Sequence, residues 1–201
     1  SHFVSNAPNE LPVNESNDLF RNLARGEIKH PVTDLVLTAI PSKPLSLYKF
    51  LDNRKFVKLK DFSLSYFRSG KILGKAIRTS THFVHLKRLC LGLCHIGNKG
   101  AFYLTSSKYL KNLRELDLSS NDLTSRVLTF LYFSHFISNL EVLALNNNNL
   151  GNKLSRFKQL FQSKKVSNIR ILSLESCELD NNNLAVLLSE NEKNPLKSSI
   201  I

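Results

Sequence analysis

Methionine is absent from this 201-residue sequence, and cysteine is scarce at three residues. Cys90, Cys94 and Cys177 are too few, and odd in number, for a disulfide scaffold, so free thiols in a reducing compartment are expected. Also missing is any apolar run near the roughly 18–20 residues that a membrane span needs, which predicts a soluble chain. Nothing at the start has the charged and apolar regions of a signal peptide. With no Met and Ser1-His2-Phe3 at its beginning, the sequence reads as a piece trimmed from a longer chain.

Acidic residues are in short supply. Lys and Arg number 28 against 16 Asp and Glu, giving a net charge of +12. Between Phe62 and Arg114 there is no carboxylate at all, while Arg68, Lys71, Lys75, Arg78 and six further cations fall in that stretch. Such a balance invites nucleic acid, an anionic membrane or an acidic protein. The longest basic run is only Lys164-Lys165, so the spread predicts solvated helix faces and not a polyanion-binding arm.

Recognised catalytic patterns are lacking as well. There is no phosphate-binding glycine loop, no His-Glu-x-x-His and no Gly-x-Ser-x-Gly. A zinc site from His82, His85, Cys90, Cys94 and His95 fits no common ligand spacing. Cys94 and His95 are neighbours, but adjacent residues of a strand point to opposite faces, which makes them a poor nucleophile and base. No enzyme, no cofactor and no metal are therefore expected.

What is present is an apolar share of 42%, enough for a sizeable core and too much for disorder. It is organised by a repeat. Leu113, Leu116, Leu118, Asn121 and Leu123 recur 27 residues later as Leu140, Leu143, Leu145, Asn148 and Leu150. They recur again as Ile169, Leu172, Leu174, Cys177 and Leu179, and one step back as Leu86, Leu89, Leu91, Cys94 and Ile96. Two degraded units precede these: Leu59, Phe62, Leu64 and Phe67 ending in Ser69, and Val32, Leu35, Leu37 and Ile40 ending in Ser42.

Within a unit, Leu116-x-Leu118 has the period of a strand with one buried face. Asn121 and Asn148 follow where the chain turns away, and there a buried amide satisfies unpaired backbone groups. Cys94 and Cys177 take the same slot, as small apolar core residues. Helical spacing comes next, as in Ile72, Leu73, Ala76 and Ile77; Leu128, Leu131 and Phe136; Leu154, Phe157, Leu160 and Phe161; and Leu184, Leu187 and Leu188. Phe56, Phe83, Leu110, Ile137 and Val166 form a further apolar ladder three residues before each unit. Many of the 13 Phe are thereby expected to fill the core.

At the front, Ser16 is a candidate N-cap, Asp18 lies in the first turn, Leu19, Phe20 and Leu23 are apolar, and Gly26 suits a helix stop. Residues 1–31 therefore divide into a loose start (1–14) and a capping helix, which a solenoid needs to cover its first apolar face. Residues 32–201 form the repeat domain. At the far end no polar cap is evident, so either the solenoid continues or Leu196, Ile200 and Ile201 fold back over its edge.

Six such units resemble the leucine-rich repeat family, over residues 32–201. The 27–29-residue period and the alternation of Asn and Cys are similar to its ribonuclease-inhibitor-like subclass. The resemblance implies an α/β horseshoe with a parallel concave sheet and helices outside. Strands stack about 4.8 Å apart and helices about 8–10 Å apart, so the strands line the inner side. Six of them make a face on the order of 25–30 Å across, the size of a standard protein interface and too open to enclose a metabolite.

The motif places on that face Val36, Ser63, Cys90, Asp117, Ala144 and Ser173, then Thr38, Ser65, Gly92, Ser119, Asn146 and Glu175. Tyr66, Leu93, Asn147 and Ser176 lie beside them, and Asp61, Arg88, Glu115, Val142 and Ile171 at the strand entrances. This surface is polar, small and slightly acidic towards its C-terminal half, with the positive charge mostly elsewhere, which disfavours nucleic acid in the groove. Tyr66, Leu93 and Arg88 are the expected anchors.

The resemblance implies a protein-binding module that docks a globular partner, such as the catalytic domain of an enzyme, and regulates or inhibits it by occlusion. Members of the subclass include enzyme inhibitors, innate-immune sensors and bacterial effectors. The Asn-, Lys- and Phe-rich composition tilts the expectation towards a microbial effector acting in host cytoplasm. No homo-oligomer is required. Two alternatives stand beside it: binding of nucleic acid or anionic lipid through the basic outer surface, and a structural arm of a larger protein.

Overall fold

The computed structural model describes residues 30–37, 51–151 and 153–188. Ser16, Gly26 and the rest of the expected capping helix lie outside them, as do Thr38, Ile40, Ser42, Leu196, Ile200 and Ile201.

Six short strands form one sheet in sequential order: β1 (Asp34–Leu37), β2 (Asp61–Leu64), β3 (Arg88–Cys90), β4 (Glu115–Asp117), β5 (Val142–Ala144) and β6 (Ile171–Ser173). Every pair is parallel, and its register equals the sequence repeat: Phe62 lies opposite Leu89, Leu89 opposite Leu116, and Leu143 opposite Leu172. A slip of one residue would turn each of these apolar side chains to solvent, so the leucines fix the pairing.

Among the described residues five α-helices return the chain: α1 (Gly70–Thr79), α2 (Gly97–Thr105), α3 (Arg126–Phe133), α4 (Leu154–Phe161) and α5 (Asn181–Leu188). A 3-10 turn precedes each of β2 to β6, and those turns carry the expected ladder of Phe56, Phe83, Leu110, Ile137 and Val166, all buried. The core runs unbroken between sheet and helices. Phe62 stacks on Phe83 across neighbouring units, with ring centroids 5.6 Å apart. This is the α/β repeat solenoid expected from the sequence.

The buried asparagines knit the units together. Asn121 Oδ1 accepts hydrogen bonds from the N–H groups of Cys94 (3.1 Å) and Ile96 (3.2 Å), in the turn of the preceding unit. Its Nδ2 donates to the carbonyls of Leu91 (2.7 Å) and Ser119 (2.9 Å). Asn148 repeats the pattern one unit on, accepting from Asn121 N and Leu123 N and donating to Leu118 O. Each amide thus closes the turn before it, where no strand or helix can.

Cys94 and Cys177 behave as more than the small apolar fillers expected of them. Cys94 Sγ donates to Leu64 O at 3.1 Å, and Cys177 Sγ to Leu145 O at 3.1 Å. The backbone N–H groups of Phe67 and Asn148 approach the same sulfurs. A thiol reproduces the amide's role more weakly, because sulfur is a poor donor and acceptor.

Two helical expectations differ in detail. Phe136 is buried, but it lies past the end of α3, beside the 3-10 turn Ile137–Asn139. On α5 the buried stripe is Asn183, Val186 and Leu187, which leaves Leu184 and Leu188 exposed. The i, i+3, i+4 set that starts at Asn183 sits one residue out of step with the leucines.

Candidate functional site

Along each strand the side chains alternate between the core and the open face of the sheet. In β2, Phe62 and Leu64 are buried while Asp61 and Ser63 are half-exposed; in β3, Leu89 is buried between half-exposed Arg88 and Cys90. Asp117, Ser119, Asn146 and Ser173 are likewise half-exposed, Ser65 also, and Glu175 is exposed. Ala144 departs from the expectation: it is only 2% exposed, because a methyl reaches less far than the side chains flanking it.

Polar groups on this face are engaged with one another. Asp117 Oδ1 accepts from Ser119 N at 2.8 Å, and Asn146 Oδ1 from Glu175 N at 2.8 Å. Arg88 Nε donates to Asp61 Oδ1 at 2.6 Å. Asp34, directly opposite Asp61 in the register, completes a row of charge at the strand entrances. The row expected from Asp61 onward thus starts one strand earlier, where a further step of 27 residues lands on Asp34.

Burial, and a hydrogen bond shared with Asp34, push Asp61 up from the usual carboxylate range despite Arg88. Asp34 moves down, because the hydrogen bond with Asp61 stabilises its ionised form. Arg88 is held still more firmly protonated by its bond to Asp61. One cation thus sits among Asp34, Asp61, Glu115, Asp117 and Glu175, and the face is net acidic.

Beyond the strand ends the chain turns through a left-handed residue in every unit that the structure describes there: Tyr66 (φ 58°), Leu93 (φ 58°), Ser120 (φ 54°), Asn147 (φ 54°) and Ser176 (φ 53°). Asn and small polar residues tolerate this conformation far better than bulky ones. Yet two adjacent units place Tyr and Leu there, 65% and 43% exposed. Those side chains stand at the rim of the sheet with no core to fill, so packing does not explain the choice.

The sulfur and imidazole groups form no reactive constellation. Cys94 is buried, whereas His95 points to solvent with Nδ1 2.8 Å from Asp122 Oδ2. Both lie in the turn after β3, so the strand alternation invoked for them does not apply, yet the separation is the same. His82 Nε2 meets the Asp52 carbonyl at 3.1 Å. Among the described residues no three His, Cys, Asp or Glu side chains converge as a metal site.

All three cysteines are free. Burial pushes the Cys90 thiol up to about 12 and the Cys94 thiol up to about 11, from an ordinary 9.0, and raises Cys177 too. A raised thiol favours the folded state below the unfolded pKa, and that contribution disappears as pH climbs through the folded one. Urea stability is therefore expected to be insensitive to these thiols up to about pH 9 and to fall between about pH 9 and 12. In thiol titration at pH 8 the native cysteines should react at least about tenfold more slowly than in denaturant; equal rates would contradict their burial.

A family model described as Leucine Rich repeat matches residues 84–104 and 109–126, which cover the strand and nearly all of the helix of the third unit and, in the fourth, the strand and the loop up to the start of α3. No curated protein matches the chain.

Proposed function

We propose that this leucine-rich-repeat solenoid is a protein-binding module whose concave sheet receives a globular partner and occludes part of it. Leucine-rich repeats generally mediate protein–protein interaction, and this chain offers the means: an open, acidic strand face with two large apolar side chains raised at its rim. The observation that carries the reading is Tyr66 and Leu93, bulky and solvent-exposed at left-handed positions on neighbouring units. Left-handed backbone costs a non-glycine residue about 1–2 kcal/mol, and retention of strain with exposure points to use at a surface.

The acidic character of the face selects a partner with a basic docking surface. A catalytic domain whose active site is ringed by Lys or Arg is the occupant that would be inhibited by occlusion. Action as an effector in a reducing cytoplasm belongs to the same reading, on the strength of the free thiols and the composition.

The test is capture of a partner followed by titration of variants. Tyr66→Ala and Leu93→Ala are each expected to weaken binding by about 2 kcal/mol, as anchor residues do. Arg88→Ala should cost less affinity, because its guanidinium is already committed to Asp61. Unchanged affinity in both Tyr66→Ala and Leu93→Ala would sink the concave-face reading.

A further inference from the structure

The helix side carries a second surface of opposite character. None of α1 to α5 and none of the 3-10 turns contains an Asp or Glu, whereas Lys71, Lys75, Arg78, Lys99, Lys108 and Lys165 all lie on them. The carboxylates of the described repeats sit on the strands and the loops, with Asp180 at the start of α5 and Asp52 beside His82 the ones that reach these elements.

On that side lies an aromatic patch on α2 and α3. Phe133 is 67% exposed and Phe102 47%. Phe102 meets the half-buried Phe130 edge-on at 5.5 Å, which joins α2 to α3, and Tyr132 meets Phe133 edge-on at 4.9 Å. Cations are seated on the rings: Lys165 Nζ lies 4.3 Å from the Tyr132 centroid and 5.9 Å from that of Phe133, and Arg78 lies 5.9 Å from Tyr103. Lys165 also donates to the Tyr132 carbonyl at 3.0 Å, so its charge is fixed beside the rings.

We infer that this outer face docks on an anionic lipid bilayer, with Phe102 and Phe133 entering the headgroup boundary and the surrounding Lys and Arg engaging lipid phosphate and carboxylate. The charge complementarity is one-sided, since the helices offer no acid to repel the lipid. The exposed aromatics of the patch are phenylalanines, which gain from an apolar layer and have no hydrogen bond to offer a base edge. Single-stranded nucleic acid binds in grooves that track its backbone, while this patch crosses the backs of two helices on the bulging side of the solenoid. A bilayer presents a broad surface that such a bulge can touch. Because the sheet faces away, a membrane-bound molecule keeps its concave face open to a protein partner.

The chain has no Trp, so Phe133→Trp gives a single reporter in the patch. With vesicles of phosphatidylcholine containing about 30 mol% phosphatidylserine, its emission is expected to shift to the blue, and not with phosphatidylcholine alone. In co-sedimentation the double variant Phe102→Ser, Phe133→Ser is expected to bind the anionic vesicles about tenfold more weakly or worse. The wild-type chain should release partly, not wholly, as salt rises. Absence of a blue shift with anionic vesicles would overturn the proposal, as would equal binding by the double variant. Retention of RNA by a chain that ignores the vesicles would assign the basic face to nucleic acid instead. Both Phe residues are exposed, and a native circular dichroism spectrum confirms that a variant folds.

Discussion

Asn121→Ala is expected to leave little folded protein. The substitution removes one acceptor that serves two N–H groups and one donor that serves two carbonyls, and three of these four bonds, all but the one to Ser119 O, are buried. Each buried backbone group left without a partner costs about 1–3 kcal/mol. Even at the low end the three buried groups sum to about 3 kcal/mol, a large part of the 5–15 kcal/mol that a domain has in total. The loss is not confined to one unit, because Asn121 closes the turn at Cys94 and Ile96 while Asn148 closes the turn at Asn121. In a solenoid stability resides in such nearest-neighbour contacts. Asn121→Cys supplies the control: Cys94 and Cys177 already fill this slot, so Cys should retain over half of the stability that Ala loses. Urea denaturation followed by circular dichroism measures both. Equal loss in the two variants would mean that volume and not hydrogen bonding matters at this position.

Gly74→Ala is expected to destabilise the protein, against the trend for a helix. In an exposed helix the change gains about 1 kcal/mol from helix propensity. Here a Cβ on Gly74 would collide with the Gly100 carbonyl of α2 and lie 2.9 Å from its carbonyl carbon. Gly100 is itself hemmed in, since a Cβ there would lie 2.9 Å from Gly70 O. The obstacle is backbone on both sides, so no side chain can rotate out of the way, and α1 must move off α2. Overpacking of this kind costs about 1–3 kcal/mol or more, so a net loss of about 2 kcal/mol is expected, read as a lower urea midpoint with an unchanged m-value. A neutral or stabilising result would show that the two helices are not in such close contact.

The strand pairing was legible residue by residue, because a 27-residue offset in sequence becomes a neighbour in space. Asp61 opposite Arg88 and Leu116 opposite Leu143 follow from counting alone. The helices were less so. No apolar stripe flagged α2: Gly100 is small because α1 comes close to it, and Gly97 opens the helix in a left-handed conformation (φ 56°) with open space around it. That many of the 13 Phe fill the core does not say which of them do, and Phe102 and Phe133 are exposed because a Phe among Leu and Tyr carries no mark of which side it faces. One residue of helical phase decides it, and that phase is set by packing between units.

Cys94 and Cys177 were placed correctly in the turn but understood as filler, since sequence does not show a thiol's hydrogen bonds. On the sheet, the face followed from the repeat, and among the described residues only Ala144 fell below the surface. The left-handed backbone at Tyr66 and Leu93 was invisible in sequence, because the equivalent positions hold Ser and Asn, which suit that conformation without calling attention to it.

Capture of a partner by two variants side by side tests the central claim most directly. One bait carries Tyr66→Ala with Leu93→Ala on the sheet rim, and the other carries Phe102→Ser with Phe133→Ser on the helix side. If the concave sheet is the protein-binding surface, the wild-type chain and the helix-side variant retain the same protein through a high-salt wash, and the rim variant loses it. Retention by the rim variant at wild-type level, or loss confined to the helix-side variant, would contradict the account.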